Sequence, residues 1–369
     1  MNAFCIMFSE NFEDIELGEL TNERTVASVP FGGRYRLVDF MLSSLVGAHI
    51  RDIGIISRNK YGSLMEHIGW GKDWDLNRKN GGIKFLTPFL KKTSKNVNSS
   101  EIETLYSTMD YIKNALPEYA VLCDANIIAN IDFKELIRYH KYKNADITFA
   151  YKTSEKCEKE LEVSFNSDDW LTDSFYHQIN ASGEKNIALN IMVLKKDLLI
   201  SLIERGVTYG WTSLKMNVLA HNASNLKICG YKVTGYSAVI KTCEEFFKAN
   251  MDLLSKDVRM QLFFSKNPVL TRIKDSVPVF YGKNANVTNS LIADGAAING
   301  TVENSIIFRD VRIKKGAIVK NSIIMQGTIV EEDAILSGVI TDMEVVIGSS
   351  RMLAGTENMP FIINKGKLV

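Results

Sequence analysis

Asn289-Ser-Leu-Ile-Ala-Asp-Gly-Ala-Ala-Ile298, Asn304-Ser-Ile-Ile-Phe-Arg-Asp-Val-Arg-Ile313 and Asn321-Ser-Ile-Ile-Met-Gln-Gly-Thr-Ile-Val330 are three copies of one phrase, and a looser fourth begins at Ser337-Gly-Val-Ile-Thr-Asp. The copies start 15, 17 and 16 residues apart. Within each, Ile, Leu or Val recurs about every six positions, with Gly, Asn and Asp between, the hexapeptide pattern of a parallel β-helix. One coil cannot bury its branched side chains alone. Stacked coils bury them in ladders and leave polar turns to water. A run of hairpins is the competing reading.

Upstream of the repeats the pattern changes. Short runs that are apolar on both faces (Ala3–Phe8, Asp52–Ser57, Tyr119–Cys123, Asp146–Tyr151, Ile187–Leu194) suit strands buried on both sides of a sheet. In Glu101–Ala115, Ile102, Leu105, Met109 and Ile112 fall on one face of a 3.6-residue period, which predicts a single helix. Alternation of strands and helices implies a mostly parallel, helix-covered sheet with its ligand crevice at the carboxyl ends of the strands. The chain therefore divides into an α/β unit over 1–250, a connecting segment over 251–277 without a clean period, and the repeats over 278–369.

Composition narrows the function classes. Of 369 residues 46% are hydrophobic and 24% charged, enough apolar surface for packed cores. Lys+Arg is 44 and Asp+Glu 43, so there is no basic excess for nucleic acid. No apolar run reaches the length of about 18 residues expected of a membrane span, and the first ten residues lack the basic region of a signal peptide. Five dispersed cysteines without a CxxC pair argue against a disulfide scaffold or zinc site. The expectation is a cytoplasmic protein. None of the five histidines shows metal-ligand spacing, and none follows His221, which argues against a hexapeptide acyltransferase.

At Leu20-Thr-Asn-Glu-Arg-Thr-Val-Ala-Ser-Val-Pro-Phe-Gly-Gly-Arg-Tyr-Arg-Leu-Val-Asp-Phe40 the chain resembles glucose-1-phosphate adenylyltransferase (ADP-glucose pyrophosphorylase). The likeness continues through Ser63-Leu-Met-Glu-His-Ile-Gly-Trp-Gly-Lys-Asp-Trp-Asp-Leu76 and returns at Gly81-Gly-Ile, Leu86-Thr-Pro-Phe, Gly235-Tyr236 and Ala249-Asn250. The resemblance implies an α/β fold: a Rossmann-like nucleotidyltransferase domain with a mostly parallel sheet, then a left-handed parallel β-helix, assembled as tetramers. It also implies a reaction of bacterial glycogen synthesis that joins ATP and glucose 1-phosphate into ADP-glucose and pyrophosphate. That chemistry needs a Gly-rich loop and cations for the triphosphate, carboxylates for Mg²⁺, and an in-line sugar phosphate.

Measured against that family, the chemistry is missing while the framework persists. Where the family carries Gly-Gly-x-Gly-x-Arg-Leu, this chain has Ser9-Glu-Asn-Phe-Glu-Asp-Ile-Glu-Leu17, without a glycine until Gly18. Glu10, Glu13, Asp14 and Glu16 oppose a triphosphate, each like-charge pair costing roughly 2–3 kcal/mol at about 6 Å and an effective dielectric of about 20. This acidic loop is either a solvated surface, a partner contact or a cover over a dead site. The family's phosphate-binding Lys aligns with Val26. Its two metal carboxylates align with Asn126 and Val239, although a shift of one or two residues would bring Asp124 in place of Asn126. The Glu-Lys-Pro triplet of the sugar-phosphate site falls on His177-Gln178-Ile179, which puts Gln178 at the Lys. Asn190 stands at a family Gly, and Arg58 replaces a family Gln. These two are the candidates for any residual substrate contact.

Among the family's effector residues only Arg36 is kept, since Glu23 and Pro30 replace a Lys and a His. The chain also stops short of the family's longer basic tail. His67 lies in a retained segment, with a surface or capping role expected. The cations Arg309, Arg312, Lys314, Lys315 and Lys320 cluster in the repeats, as a solvated edge or as a surface for an anion or a partner.

Taken together the chain resembles the non-catalytic D-type regulatory subunit of Gram-positive glucose-1-phosphate adenylyltransferases. The expectation is no catalytic residue and no metal in this chain, with Mg²⁺ only in a catalytic partner subunit. The assembly expected is a heterotetramer that activates that partner, with self-association when the chain is alone. Two other readings remain: a weakly active nucleotidyltransferase whose metal site is rebuilt from Asp124 with Asp14 or Glu16, and a module sensing a sugar phosphate or nucleotide.

Overall fold

A computed structural model describes residues 2–10, 16–79, 81–88, 100–155, 158–179, 183–221, 226–265 and 267–369. The front domain is built on a nine-stranded mixed sheet. Its main path runs Leu171–His177, Glu160–Phe165, Lys185–Lys195, Tyr119–Asp124, Ala3–Phe8, Asp52–Ile56 and Gly82–Leu86. Ile147–Ser154 also pairs with Lys185–Lys195, and Ile228–Lys232 with Ile147–Ser154. The strands Tyr119–Asp124, Ala3–Phe8, Asp52–Ile56 and Gly82–Leu86 are parallel. Lys185–Lys195 runs antiparallel to Tyr119–Asp124 and splits the parallel part from the rest. Every residue of Ala3–Phe8 is buried, as the two-sided apolar run predicts.

Two expectations are corrected. The helix over Glu101–Ala115 is broken into Glu101–Ser107 and Met109–Asn114, because Thr108 turns out of helical geometry at φ −102° and ψ 13°. Ser100 caps the first piece, reciprocated by Glu103. The connecting segment also holds a helix, Lys256–Phe263, which the mixed pattern hid.

Residues 280–363 wind into five coils that contribute one strand each to three parallel five-stranded sheets, the left-handed β-helix class. Inward positions stack in register: Val302, Val319 and Leu336 form one fully buried ladder, and Ile306 with Ile323 another. The Asn-Ser phrase is the corner. Asn289, Asn304 and Asn321 take φ of 40°, 47° and 44°, a left-handed geometry that Asn tolerates. The next serine caps the coil above: Ser290 Oγ accepts from Ser305 N–H, Ser305 Oγ from Ser322 N–H, and Ser322 Oγ from Val339 N–H, each at 3.1 Å. In the fourth copy the corner is Gly338, at φ 65°, rather than Ser337.

The two domains share a core. Leu17, Leu20, Val26, Phe31 and Phe246 join Ile298, Val302 and Ile307 in one apolar cluster. Arg24 Nη2 meets Asp342 Oδ2 at 2.8 Å across the boundary, both side chains almost fully buried. Retained sequence phrases meet here. Gly32 N–H donates to Asn250 Oδ1 at 3.0 Å, and a Cβ on Gly32, whose φ is +59°, would stand 2.8 Å from Leu253 Cδ1. The retained Gly therefore serves the framework.

Candidate functional site

The crevice at the carboxyl ends of the central strands is where an α/β sheet of this kind binds ligands. Asp124 is the last residue of the central strand Tyr119–Asp124 and is 5% exposed. Its Oδ2 accepts a hydrogen bond from Asn190 Nδ2 at 2.5 Å. Both line a cavity of about 20 Å³ with Glu101, Met192 and the buried Lys215, a volume close to that of one water. Sequence reasoning offered Asp124 only as a shifted alternative. It had no signal for Lys215, which lies far along the chain in the helix Leu214–His221.

The two aligned metal positions do come together, as neutral groups. Ser237–Val239 pairs antiparallel with Ile127–Ala129, matching Val239 to Ile127. Asn126 Nδ2 donates to the Ile240 carbonyl at 2.9 Å, and Ile240 N–H donates to the Asn126 carbonyl at 3.0 Å. Asn126 Oδ1 is buried without a partner among the described residues. Asp124 tied to an amide and Glu101 to the Leu214 N–H, with an amide and a valine at the two aligned positions, do not fit a divalent cation held between phosphates, which wants several hard anionic oxygens. Among the described residues no group of three or more His, Cys, Asp or Glu side chains is disposed to hold a metal.

Val26 is in a short 3₁₀ turn, Val26–Ser28, and is buried in the shared core. The aligned position of the phosphate-binding Lys is thus part of the packing between domains. Gln178 is exposed just past the strand Leu171–His177 and does not line the Asp124 cavity. Its neighbour His177 meets Glu162 at 2.6 Å. That contact, with Lys185 behind it, holds the Glu162 carboxyl below its usual range.

The acidic loop is stitched down at both described ends, while Glu13 and Asp14 lie outside the described residues. Glu10 Oε2 pairs with Arg58 Nε at 3.4 Å, and its Oε1 accepts the Asn59 N–H at 3.1 Å. Arg58 is therefore engaged by the chain's own carboxylate. Glu16 pairs with Lys159 at 3.1 Å, and its N–H donates to the Lys241 carbonyl at 2.7 Å. Lys241 in turn meets Glu160 at 3.1 Å, both largely buried. Close by, burial lowers the Lys152 ammonium below its ordinary range, Lys241 and Lys248 adding to the effect while Glu160 and Glu245 oppose it.

A second polar site lies between the domains. A pocket of about 50 Å³ is lined by Arg34, Arg36, Arg272, Lys274 and Arg309, against the carboxylate of Glu66. Arg36 Nη1 donates to the Ser63 carbonyl and hydroxyl, both at 2.7 Å. Burial, with repulsion from Arg24 and Arg272, lowers its guanidinium to about 10. Arg309 Nε meets Asp294 at 3.0 Å, and Arg34 lies 4.0 Å from the same carboxylate. Burial opposes ionisation of Asp294, yet the Arg309 bond and charge hold it below the usual range. Among the described residues Arg309 Nη2 is buried with no partner, the condition an incoming anion satisfies. Sequence reasoning reached Arg36 and, as part of a separate cation cluster in the repeats, Arg309; it had no signal for Arg272 and Lys274, which arrive from the connecting segment.

His67, for which a surface or capping role was expected, also lines this pocket and is buried rather than at the surface. It meets Asp39 at 2.6 Å, and Asp39 Oδ2 accepts the Arg36 N–H at 2.9 Å.

Residues 16–160 match the nucleotidyl transferase family, and residues 277–358 match the GlmU-like C-terminal hexapeptide family. The glycogen biosynthesis protein GlgD of Bacillus subtilis (strain 168) is 34% identical over 95% of this chain and 92% of its own length. GlgD of Geobacillus stearothermophilus is 36% identical over the same shares. A glucose-1-phosphate adenylyltransferase of Clostridium botulinum (strain Eklund 17B / Type B) is 31% identical over 83% of this chain and 81% of its own. Among the described residues no helix is long and apolar enough to cross a membrane.

Proposed function

Because this chain belongs to the family of glucose-1-phosphate adenylyltransferases and GlgD glycogen biosynthesis proteins, we propose that it is a non-catalytic regulatory subunit acting on a catalytic paralogue in the cytoplasm. The observation that carries this reading is the state of the crevice. Of the two carboxylates that line it among the described residues, Asp124 is bonded to Asn190 and Glu101 accepts the Leu214 N–H, while Val26 and Val239 stand at the aligned Lys and second carboxylate. Mg²⁺ belongs to the partner's site.

The subunit acts by binding one conformation of its partner better than another. The shift it causes equals that difference in interface free energy. Regulatory input from an anion enters at the pocket of Arg34, Arg36, Arg272, Lys274 and Arg309, where a ligand would bridge the front domain and the β-helix. The test is adenylyltransferase activity of this chain alone, of the catalytic paralogue alone, and of the mixture. The expected result is no turnover by this chain alone and faster turnover in the mixture.

The placement of Asp124 at the end of the central strand supports a second reading, a weakly active enzyme with that residue as its metal ligand. Calorimetric titration of this chain with ATP, with and without Mg²⁺, separates the two. Metal-dependent micromolar binding would favour the enzyme.

A further inference from the structure

Two carboxylates and one ammonium share the cavity at the end of the central strand. Asp124 and Lys215, each 5% exposed, line it with Glu101, and Lys215 is the one cation in that lining. Phe8, Leu122 and Met192 make much of the rest apolar. Burying a carboxylate in such surroundings is costly unless a positive charge or several hydrogen bonds meet it. Glu101 Oε2 accepts the Leu214 N–H at 3.1 Å, and the Glu101 N–H donates to the Thr212 carbonyl at 3.1 Å, so the turn that delivers Lys215 is fastened to Glu101 twice. Asp124, Glu101 and Lys215 each have further partners, so none of the three is free.

Room and charge both exclude a divalent ion while Lys215 is in place. The cavity of about 20 Å³ holds one water, whereas Mg²⁺ keeps several waters and demands octahedral oxygen ligands. Asn190 presents an N–H donor to Asp124, the opposite of what a cation needs there, and its own Oδ1 is buried without a partner among the described residues. An ion brought to Asp124 would also meet the buried ammonium, and like charges repel strongly in an apolar cavity.

We propose that Lys215 is the resident cation of the crevice: its ammonium balances Asp124 and Glu101, ties the helix Leu214–His221 to the strand end, and bars a divalent ion. The inference rests on the non-catalytic reading above and deepens it. The crevice fails to fit a metal because the chain itself carries the charge a metal would supply. Lys215 is a positioning residue, with no part in a reaction.

The experiment uses the full chain. Lys215→Met is expected to raise the unfolding constant in urea on the order of 100-fold, because it strands two carboxylates. Adding Asp124→Asn should recover about 10-fold, and so should adding Glu101→Gln, which keeps an acceptor for the Leu214 N–H. Loss of packing alone would not produce that coupling. Mn²⁺ titration of the wild type, read by electron paramagnetic resonance, should show no bound ion that Asp124→Asn removes, and this arm stands even where Lys215→Met fails to fold. Three results would each overturn the resident cation: a Lys215→Met chain as stable as the wild type, a loss that merely adds to both neutralisations, or a wild-type Mn²⁺ site abolished by Asp124→Asn. The first two leave the subunit reading intact, since that reading is judged by the activity of the mixture. The Mn²⁺ site together with turnover by this chain alone would sink both.

Discussion

The β-helix and the front domain organise polar side chains in opposite ways. In the β-helix one solution is repeated: Asn turns the corner and Ser caps the next coil, over sequence distances of one coil. In the front domain each polar contact of the crevice is a single long-range pair, such as Glu10 with Arg58 or Asp124 with Asn190. Those pairs are internal, so the crevice spends its charges on itself. The boundary between the two regions differs from both, because it keeps cations whose N–H groups lack a partner among the described residues. Proposed binding by this chain is accordingly placed where the domains meet rather than at the strand ends.

The largest expected effect tests that boundary. Asp342→Ala strands the Arg24 guanidinium in the shared core, and losing one partner of a buried pair costs about 3–5 kcal/mol. Urea unfolding should show that loss. Replacing both partners, Arg24→Met with Asp342→Leu, should recover most of it. If the single variant were as stable as the wild type, the two domains would be held by apolar packing alone.

The next prediction concerns a position that changed regions. Val26 aligns with a phosphate-binding Lys but now lies in the core shared with the β-helix. Val26→Lys is therefore expected to destabilise the chain by roughly 3 kcal/mol without restoring nucleotide binding. Thermal unfolding and ATP titration check both halves. A stable, ATP-binding variant would mean that the crevice is one substitution from function.

How much of this was legible follows from the same contrast. The repeats declared the β-helix because each coil restates its register, although which of the polar residues turns the corner came only from the structure. The two-sided apolar runs placed the central strands. The strands Glu160–Phe165 and Leu171–His177 were not visible, because their exposed, polar-rich faces hide the apolar run. The losses at Val26 and Val239 were readable by alignment with a family pattern. The pairing of Arg58 with Glu10, and the gathering of Arg36, Arg272, Lys274 and Arg309, were not. They join residues tens to hundreds of positions apart that carry no local period.

A pH experiment separates the regions again. His140 is buried in the front domain and bonded to Thr148 Oγ1 at 2.8 Å. Burial, with Lys195 and Lys141 adding repulsion, lowers it from 6.5 to about 4. The unfolded chain then takes up the proton first as pH falls. Stability present at neutral pH is lost between about 6.5 and 4, up to about 3 kcal/mol in full. The β-helix has no histidine. Hydrogen exchange should therefore show this acid sensitivity in the front-domain sheet and not in the coils, and His140→Asn should flatten it.

The smallest expected effect bears most directly on function. Asn190→Ala removes a charge-assisted hydrogen bond to Asp124, worth about 1–2 kcal/mol. If the crevice were merely masked, freeing that carboxylate would uncover a metal site, and Mg²⁺-dependent nucleotide binding would appear in calorimetry. The neutral pair of Asn126 and Val239 argues for the other outcome: a small loss of stability and no gain in binding, because no carboxylate faces Asp124 from the Val239 strand to anchor a cation between phosphates. The companion Asn190→Ala with Val239→Asp supplies a second carboxylate and distinguishes the cases. Metal affinity in the double variant alone means the site was dismantled at Val239. Metal affinity in the single variant means that Asn190 was holding an intact site shut, and the contrast between a spent crevice and a live boundary would fail.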